Sequence, residues 1–482
     1  MRNFSLSIYT FHLRQTLADP LDRVSTKAEL IWENLIAISQ DLPFLELQAT
    51  ALKSKLLCYN LVDKDSGNYQ HYPGALNLVN EWLTRDENSI KLTAIAQQEL
   101  NVGGSLQPFL LHDTYAFDLT LLVPEITPEE LNKLSIKSLF FKESTNFIGQ
   151  TFWLYGEAEV SRKECQELSQ QIADKFLELT DYQGRLVSSE GILLKMPLFE
   201  YELIDKSTKK SISHYRLLVS INNESIKLNP NTYNWTREIL WTYHKIEYVY
   251  KQAQESYSKA RKAYSDLEAK IQEFKPNRPL EELQKLLEAM PEISMQYQRQ
   301  LRNLQAHYTT IKTNRINYRN YLQKFWQPGD ISSWQEFSEI TCQRYLDQIE
   351  TYLSYIQPGK DLINEFINTL RGLVEVEQAK SDRAAEIREK DRDRQLQETL
   401  QENERKEKER DRNLQTLIAA VGVGIGASGV AATASPYILE EKPKEYSYNL
   451  ALSLLFSLVV GVAGGAIAVK IMQSYQKRSK KS

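Results

Sequence analysis

Five positions spaced seven apart, Tyr243, Tyr250, Tyr257, Tyr264 and Ile271, constrain this chain more than any other feature. Three residues after each come Ile246, Ala253, Ala260, Leu267 and Phe274. Apolar residues kept at the a and d places of a heptad specify a long helix that must bury one seam against another helix. A break follows at Lys275-Pro-Asn-Arg-Pro279. A second seam then runs through Leu304, Ile311, Tyr318 and Phe325, with Leu301, Tyr308 and Leu322 alongside. Two matched helices with a turn between them read as an antiparallel coiled-coil hairpin within 231–357. An aromatic ladder can stack nucleobases, but tyrosines alternating with alanines and leucines at core spacing read as a packed seam.

The 230 residues before the seam carry a different period. Tyr115, Phe117, Leu119, Leu121 and Val123 alternate onto one face of a strand, and 150–156, 191–196 and 214–221 read similarly. Helical stretches separate them: 22–39, 127–139 with its Thr-Pro-Glu-Glu start, and 161–179. Strands alternating with helices predict a cytoplasmic α/β domain over 1–230. At 482 residues and 55.9 kDa the chain has room for two or three such regions.

Basic residues number 59 and acidic ones 63, so the formal charge is −4 and nothing draws the chain towards nucleic acid. Cys58, Cys165 and Cys342 are odd in number and far apart, which argues against a zinc module or a disulfide framework. The N-terminus lacks the apolar core and cleavage site of a signal peptide. Past Gln357-Pro-Gly-Lys360, read as a break, nothing interrupts a helix from Asp361 onward. Residues 361–413 read as a charged stalk helix supported by i,i+4 pairs such as Glu386/Lys390.

The stalk leads into 27 uncharged residues, 413–439, and 24 more follow at 446–469. A bilayer core of about 30 Å needs roughly 20 helical residues, so both runs are long enough to span it. The expectation is a hairpin of transmembrane helices at 414–439 and 446–469, an outer loop at 440–445 and a basic tail at 470–482. Lys470, Lys477, Arg478, Lys480 and Lys481 place both termini in the cytoplasm of a multi-pass inner-membrane protein whose first partner is the lipid bilayer. Gly422, Gly426, Gly461 and Gly465 form small-xxx-small pairs suited to close helix packing. Gly424, Ser428 and Ser435 share a face of the first span and, with Thr416, are the candidate pore-lining residues. Glu440 and Glu441 would form an acidic outer mouth.

Catalytic signatures such as GxxxxGK[ST], HExxH and GxSxG do not occur. The six histidines (12, 71, 112, 214, 244, 307) lack ligand spacing and read as structural or surface residues. His112, Asp113 and Asp118 come nearest to a polar site, with Asp118 turned away from the apolar face of its strand. The chain reads as a non-enzyme, and no cofactor or metal site is identified.

The order of parts resembles the CorA-type divalent-cation channels: a cytoplasmic α/β domain, helices, a long stalk helix that becomes the first span, a second span and a basic tail. The family's Gly-Met-Asn signature is missing, and Ala434-Ser-Pro-Tyr-Ile438 stands in its place. The resemblance implies a homo-oligomer, a pentamer if the likeness is complete, passing cations through a pore lined by the first span. It also implies a cytoplasmic domain controlled by a divalent cation or a nucleotide-like ligand, as in divergent members linked to antiviral defence. The alternative is a membrane-anchored coiled-coil scaffold without transport activity.

Overall fold

Phe4, Leu6 and Ile8 alternate with Ser5, Ser7 and Tyr9, and this period of two makes the N-terminus the middle of a sheet. The structure is a computed structural model. It describes all residues except 17–23, 64–66, 73–81, 86, 98, 135, 143, 189–190, 225, 227–230, 276–277, 325–329, 331, 398–458, 460–462, 464–465, 468–469 and 472–482. The strands are β1 (Arg2–Leu13), β2 (Tyr59–Asp63), β3 (Asn68–His71), β4 (Ile90–Gln97), β5 (Leu100–Leu111), β6 (Thr114–Glu125), β7 (Phe147–Glu157), β8 (Tyr182–Ser188), β9 (Ile192–Leu193), β10 (Met196–Asp205) and β11 (Ser211–Asn222). The helices are α1 (Leu30–Ile38), α2 (Ala49–Lys55), α3 (Arg162–Leu177), α4 (Asn231–Gln272), α5 (Leu280–Gln323), α6 (Ser332–Glu336) and α7 (Cys342–Gln397).

Nine strands form the main sheet in the order β4-β5-β6-β1-β7-β11-β10-β8, with β9 on the edge of β10 and a separate β2-β3 hairpin. Pairing is antiparallel except between β7 and β11, where Tyr215 lies beside Gln150. The parallel pair exists because α3 crosses between the two halves of the sheet, entered through the Ser161–Glu164 capping box. As the alternation predicts, Tyr115, Phe117, Leu119, Leu121 and Val123 share one buried face, against which α1, α2 and α3 pack. The stretch 127–139 is helical but 3-10, as Pro128–Leu134 and Ile136–Leu139.

The other face carries the coiled coil. Ile246, Ala253, Ala260 and Leu267 are fully buried, and Leu304, Ile311 and Tyr318 meet them from α5. The tyrosines of the first seam are only half-buried by α5 because they face a third helix. Tyr250 stacks on Tyr345 at 3.7 Å and Tyr257 on Tyr352 at 4.0 Å, so α7 runs parallel to α4 and completes a three-helix coil. The same period continues through Gly359 and Phe366, the latter edge-on to Phe274. Residues 357–360, read as a break, therefore lie inside α7. A side chain at 359 would come within 2.3 Å of the Tyr297 hydroxyl and 2.7 Å of Tyr264, so only glycine lets the three helices close there. Tyr297 donates its hydroxyl proton to the Ile356 carbonyl in the turn disrupted by Pro358.

The chain divides into two units, 1–374 and 375–482. In the second, the described end of α7 is exposed and charged, with Lys380–Glu377 and Lys390–Glu386 pairs at 2.7 and 2.5 Å. Among the described residues no helix is long and apolar enough to cross a membrane. The long helices α4, α5 and α7 are instead amphipathic or charged, each offering one apolar stripe to its neighbours. The expected transmembrane hairpin at 414–439 and 446–469 is thus not supported. The multi-pass inner-membrane location falls with it. Thr416, Gly424, Ser428, Ser435, Glu440, Glu441, Gly422, Gly426, Gly461 and Gly465 all lie outside the described residues.

Candidate functional site

Where α4 leaves the sheet, the strands set polar side chains among the apolar ones that pack against it. Arg216 on β11 and Glu200 on β10 form a buried pair, with Nε donating to Oε1 at 2.6 Å. The guanidinium lies 4.2 Å from the ring centre of Tyr243 on α4 and 5.0 Å from that of Trp334 on α6. Ser333 donates to the second Glu200 oxygen at 3.2 Å. Burial opposes the charge of Arg216, but Glu200 beside it raises its pKa overall.

Beside this pair, His244 of α4 shares a hydrogen bond of 2.7 Å with Thr151 on β7. Burial, with Arg216 and His214 nearby, holds its imidazole neutral far below the usual range. The ring fills the space of a side chain at Gly149, whose Cβ would lie 2.2 Å from Nδ1. Further along, Lys245 grips both oxygens of Asp113 at 2.7 and 2.9 Å, and His112 stacks on Trp241 at 5.3 Å. His112 and Asp113 form the β5–β6 turn, with His112 at φ +51°. That corner of the expected polar trio is thus a clamp on α4.

Asp118 goes elsewhere. It is buried on the helix-facing side of β6. Thr120 donates to it at 2.9 Å, which leaves Ser7 to donate to Thr120 at 2.7 Å. Tyr233 and Arg237 of α4 face the same carboxyl, and Arg237 also lies over the rings of Trp82 and Phe109 at 5.1 and 4.8 Å. Burial pushes the Asp118 carboxyl up to about 6, against the hydrogen bonds of Tyr233 and Thr120 and the charge of Arg237.

In front of this group opens a chamber of about 460 Å³ between the strands and the first turns of α4. Tyr9, Trp153, Tyr155 and Tyr233 supply aromatic walls, Leu194 and Met196 an apolar end, and Ser5, Ser7 and Ser220 hydroxyls. Trp153 donates to Ser220 at 2.8 Å, and Asn222 donates to the Tyr155 hydroxyl at 2.8 Å, which fixes two of the rings. Ser5, Ser7, Trp153, Tyr155 and Tyr233 are each half-buried, so solvent reaches the chamber. Sequence reasoning found Asp118 but missed the chamber and the Arg216–Glu200 pair. The available signal was the run of hydroxyls and charges on alternate positions of neighbouring strands: Ser5 and Ser7, Asp118 and Thr120, Thr151, Ser220.

Among the described residues no three His, Cys, Asp or Glu side chains converge to hold a metal ion. The chain matches no protein family, no characterised protein and no solved structure. The order of parts behind the CorA resemblance also loses its two membrane spans, since no described helix suits that role.

Proposed function

We propose that this protein is a non-enzymatic, homo-oligomeric scaffold in which the sheet is a receiving platform and the three-helix coil a lever rooted in it. One observation carries the reading: α4 belongs to both parts. Its first turns hold Tyr233, Arg237, Trp241, His244 and Lys245 against the sheet, and its later turns supply the coil's buried seam at Ala253, Ala260 and Leu267. A displacement at the sheet face is passed to the coil without a hinge between them.

Thermal melting of the full chain tests the coupling. Helix signal and aromatic near-ultraviolet signal should be lost together, and helices that melt apart from the sheet would sink the lever. Light scattering of the same sample tests the assembly, and a monomer at micromolar concentration would remove the homo-oligomer from this reading.

A further inference from the structure

The chamber at the root of α4 has the make-up of a small-molecule site, and its lining limits what it accepts. Its volume of about 460 Å³ lies inside the range of roughly 300–1,000 Å³ typical of ligand pockets. Four aromatic rings around one space offer flat faces for stacking, while hydroxyls of Ser5, Ser7 and Ser220 offer hydrogen-bond partners at the edges. Among the described residues that line it none is charged, so nothing there neutralises a phosphate or carboxylate. Directly behind the wall lie the Asp118 carboxyl, which reaches Ser7 through Thr120, and the Arg237 guanidinium that faces it.

A second observation is conformational. Leu194 projects into the chamber from the two-residue turn between β9 and β10, where Leu194 and Lys195 stand at φ +56° and +70°. A branched side chain in the left-handed region is strained and persists where the surroundings demand it, often at ligand clamps.

We infer that this chamber binds a flat, uncharged heteroaromatic molecule of about nucleoside size, stacked among Tyr9, Trp153, Tyr155 and Tyr233 and hydrogen-bonded at its edges by Ser7 and Ser220. The site has one wall on the sheet and one on α4 through Thr232, Tyr233 and Thr236, so occupancy bears directly on the helix root. The inference goes beyond the scaffold reading and stands or falls separately from it.

Calorimetric titration of the full chain with adenosine, guanosine and their 5′-monophosphates tests it. Saturable one-to-one binding of at least one nucleoside is expected, with its monophosphate at least tenfold weaker. Ser5→Phe and, independently, Thr236→Leu fill the chamber from opposite walls and should weaken that binding tenfold or more in whichever variant keeps the parent melting curve. The inference is overturned if neither nucleoside binds, if a monophosphate binds as tightly as its nucleoside, or if a folded filling variant keeps the parent affinity. Should both variants unfold, nuclear Overhauser contacts between nucleoside base protons and protein aromatic protons decide: contacts support the site and their absence overturns it.

Discussion

The two faces of the main sheet share apolar burial, but the one towards α4 sets buried ionic and hydroxyl groups into it. Towards α1, α2 and α3 the strands offer Phe4, Leu6, Ile8, Phe117, Leu119 and Phe152, an apolar layer buried almost without remainder. Towards α4 they offer Tyr9, Phe11, Phe109, Ile148 and Leu218, but set among them serines, threonines, Asp118, Glu200 and Arg216. Apolar burial stabilises by area, at about 25 cal/mol per Å², and tolerates many arrangements. A buried ionic and hydroxyl face gains little net energy, because desolvation offsets attraction, but few arrangements satisfy it. Both faces hold the domain together by apolar burial; the polar groups of the second also fix where α4 stands.

The largest expected effect tests this contrast directly. Arg216→Met leaves Glu200 buried without its partner and should cost about 3–5 kcal/mol in denaturant unfolding. The double variant Arg216→Met/Glu200→Leu should recover most of that loss, since an apolar pair can replace a buried ion pair at little cost. On the apolar face, Leu154→Ala should cost about 2–5 kcal/mol, the loss set by the cavity it leaves. If the double variant is as unstable as Arg216→Met alone, the ionic face contributes stability outright and the contrast fails.

Acid should distinguish the faces next. Burial lowers His12, on the apolar side, and His307, in the coil, to about 4, and lowers His244 further. Unfolded histidines titrate near 6.5 and take up protons first, so stability is lost as pH falls from about 6.5 towards 4. Asp118, raised to about 6 by burial, acts in the opposite sense: its contribution is present at low pH and lost as pH rises through 6. The lowered histidines, His71 among them, outnumber the buried carboxyls raised by desolvation, Asp118 and Glu247, so stability should fall on balance between pH 6.5 and 4.5. Asp118→Asn should steepen that decline by removing an opposing group. A melting temperature flat across this window would show that these histidines stay solvated.

Parts of this contrast are legible in the sequence. The alternation in β6 gives its apolar face, Ser161 and Glu164 announce α3, and the heptads give α4 and α5 to within a few residues. Local rules fail where distant residues decide. Pro358 and Gly359 signal a break, yet the helix continues because Tyr264 and Tyr297 need the empty side of Gly359 and Tyr297 bonds the nearby carbonyl. The chamber joins β1, β7, β10 and α4, whose neighbourhood depends on strand order, and no one-dimensional pattern encodes that order. The uncharged runs at 413–439 and 446–469 have the length of a membrane span, and length without charge is a weak signal on its own. Yet no described helix is apolar enough for that role, and those runs lie almost wholly outside the described residues.

A steric test of the polar face should give a smaller effect. Gly149→Ala places a methyl group 2.2 Å from His244 Nδ1, and backbone on one side and a buried ring on the other leave little room to yield. Overpacking of this kind costs about 1–3 kcal/mol. His244→Ala in the same chain should relieve part of the loss, because the two side chains compete for one space. Additive losses in the double-mutant cycle would mean that Gly149 is required for its backbone alone.

The smallest expected effect concerns the turn beside the chamber, and its sign is what matters. Lys195 stands at φ +70°, where glycine carries no steric penalty, and its side chain does not line the chamber. A two-residue hairpin turn with both residues left-handed favours glycine at the second place. Lys195→Gly should therefore stabilise the protein by about 0.5–1 kcal/mol, the relief of strain exceeding the added freedom of the unfolded chain. Nucleoside affinity should stay unchanged in this variant, because Leu194 keeps its place against the chamber. A loss of stability would mean that the turn is held open by contacts of Lys195 itself; unchanged stability with altered affinity would place the strain in the service of the chamber.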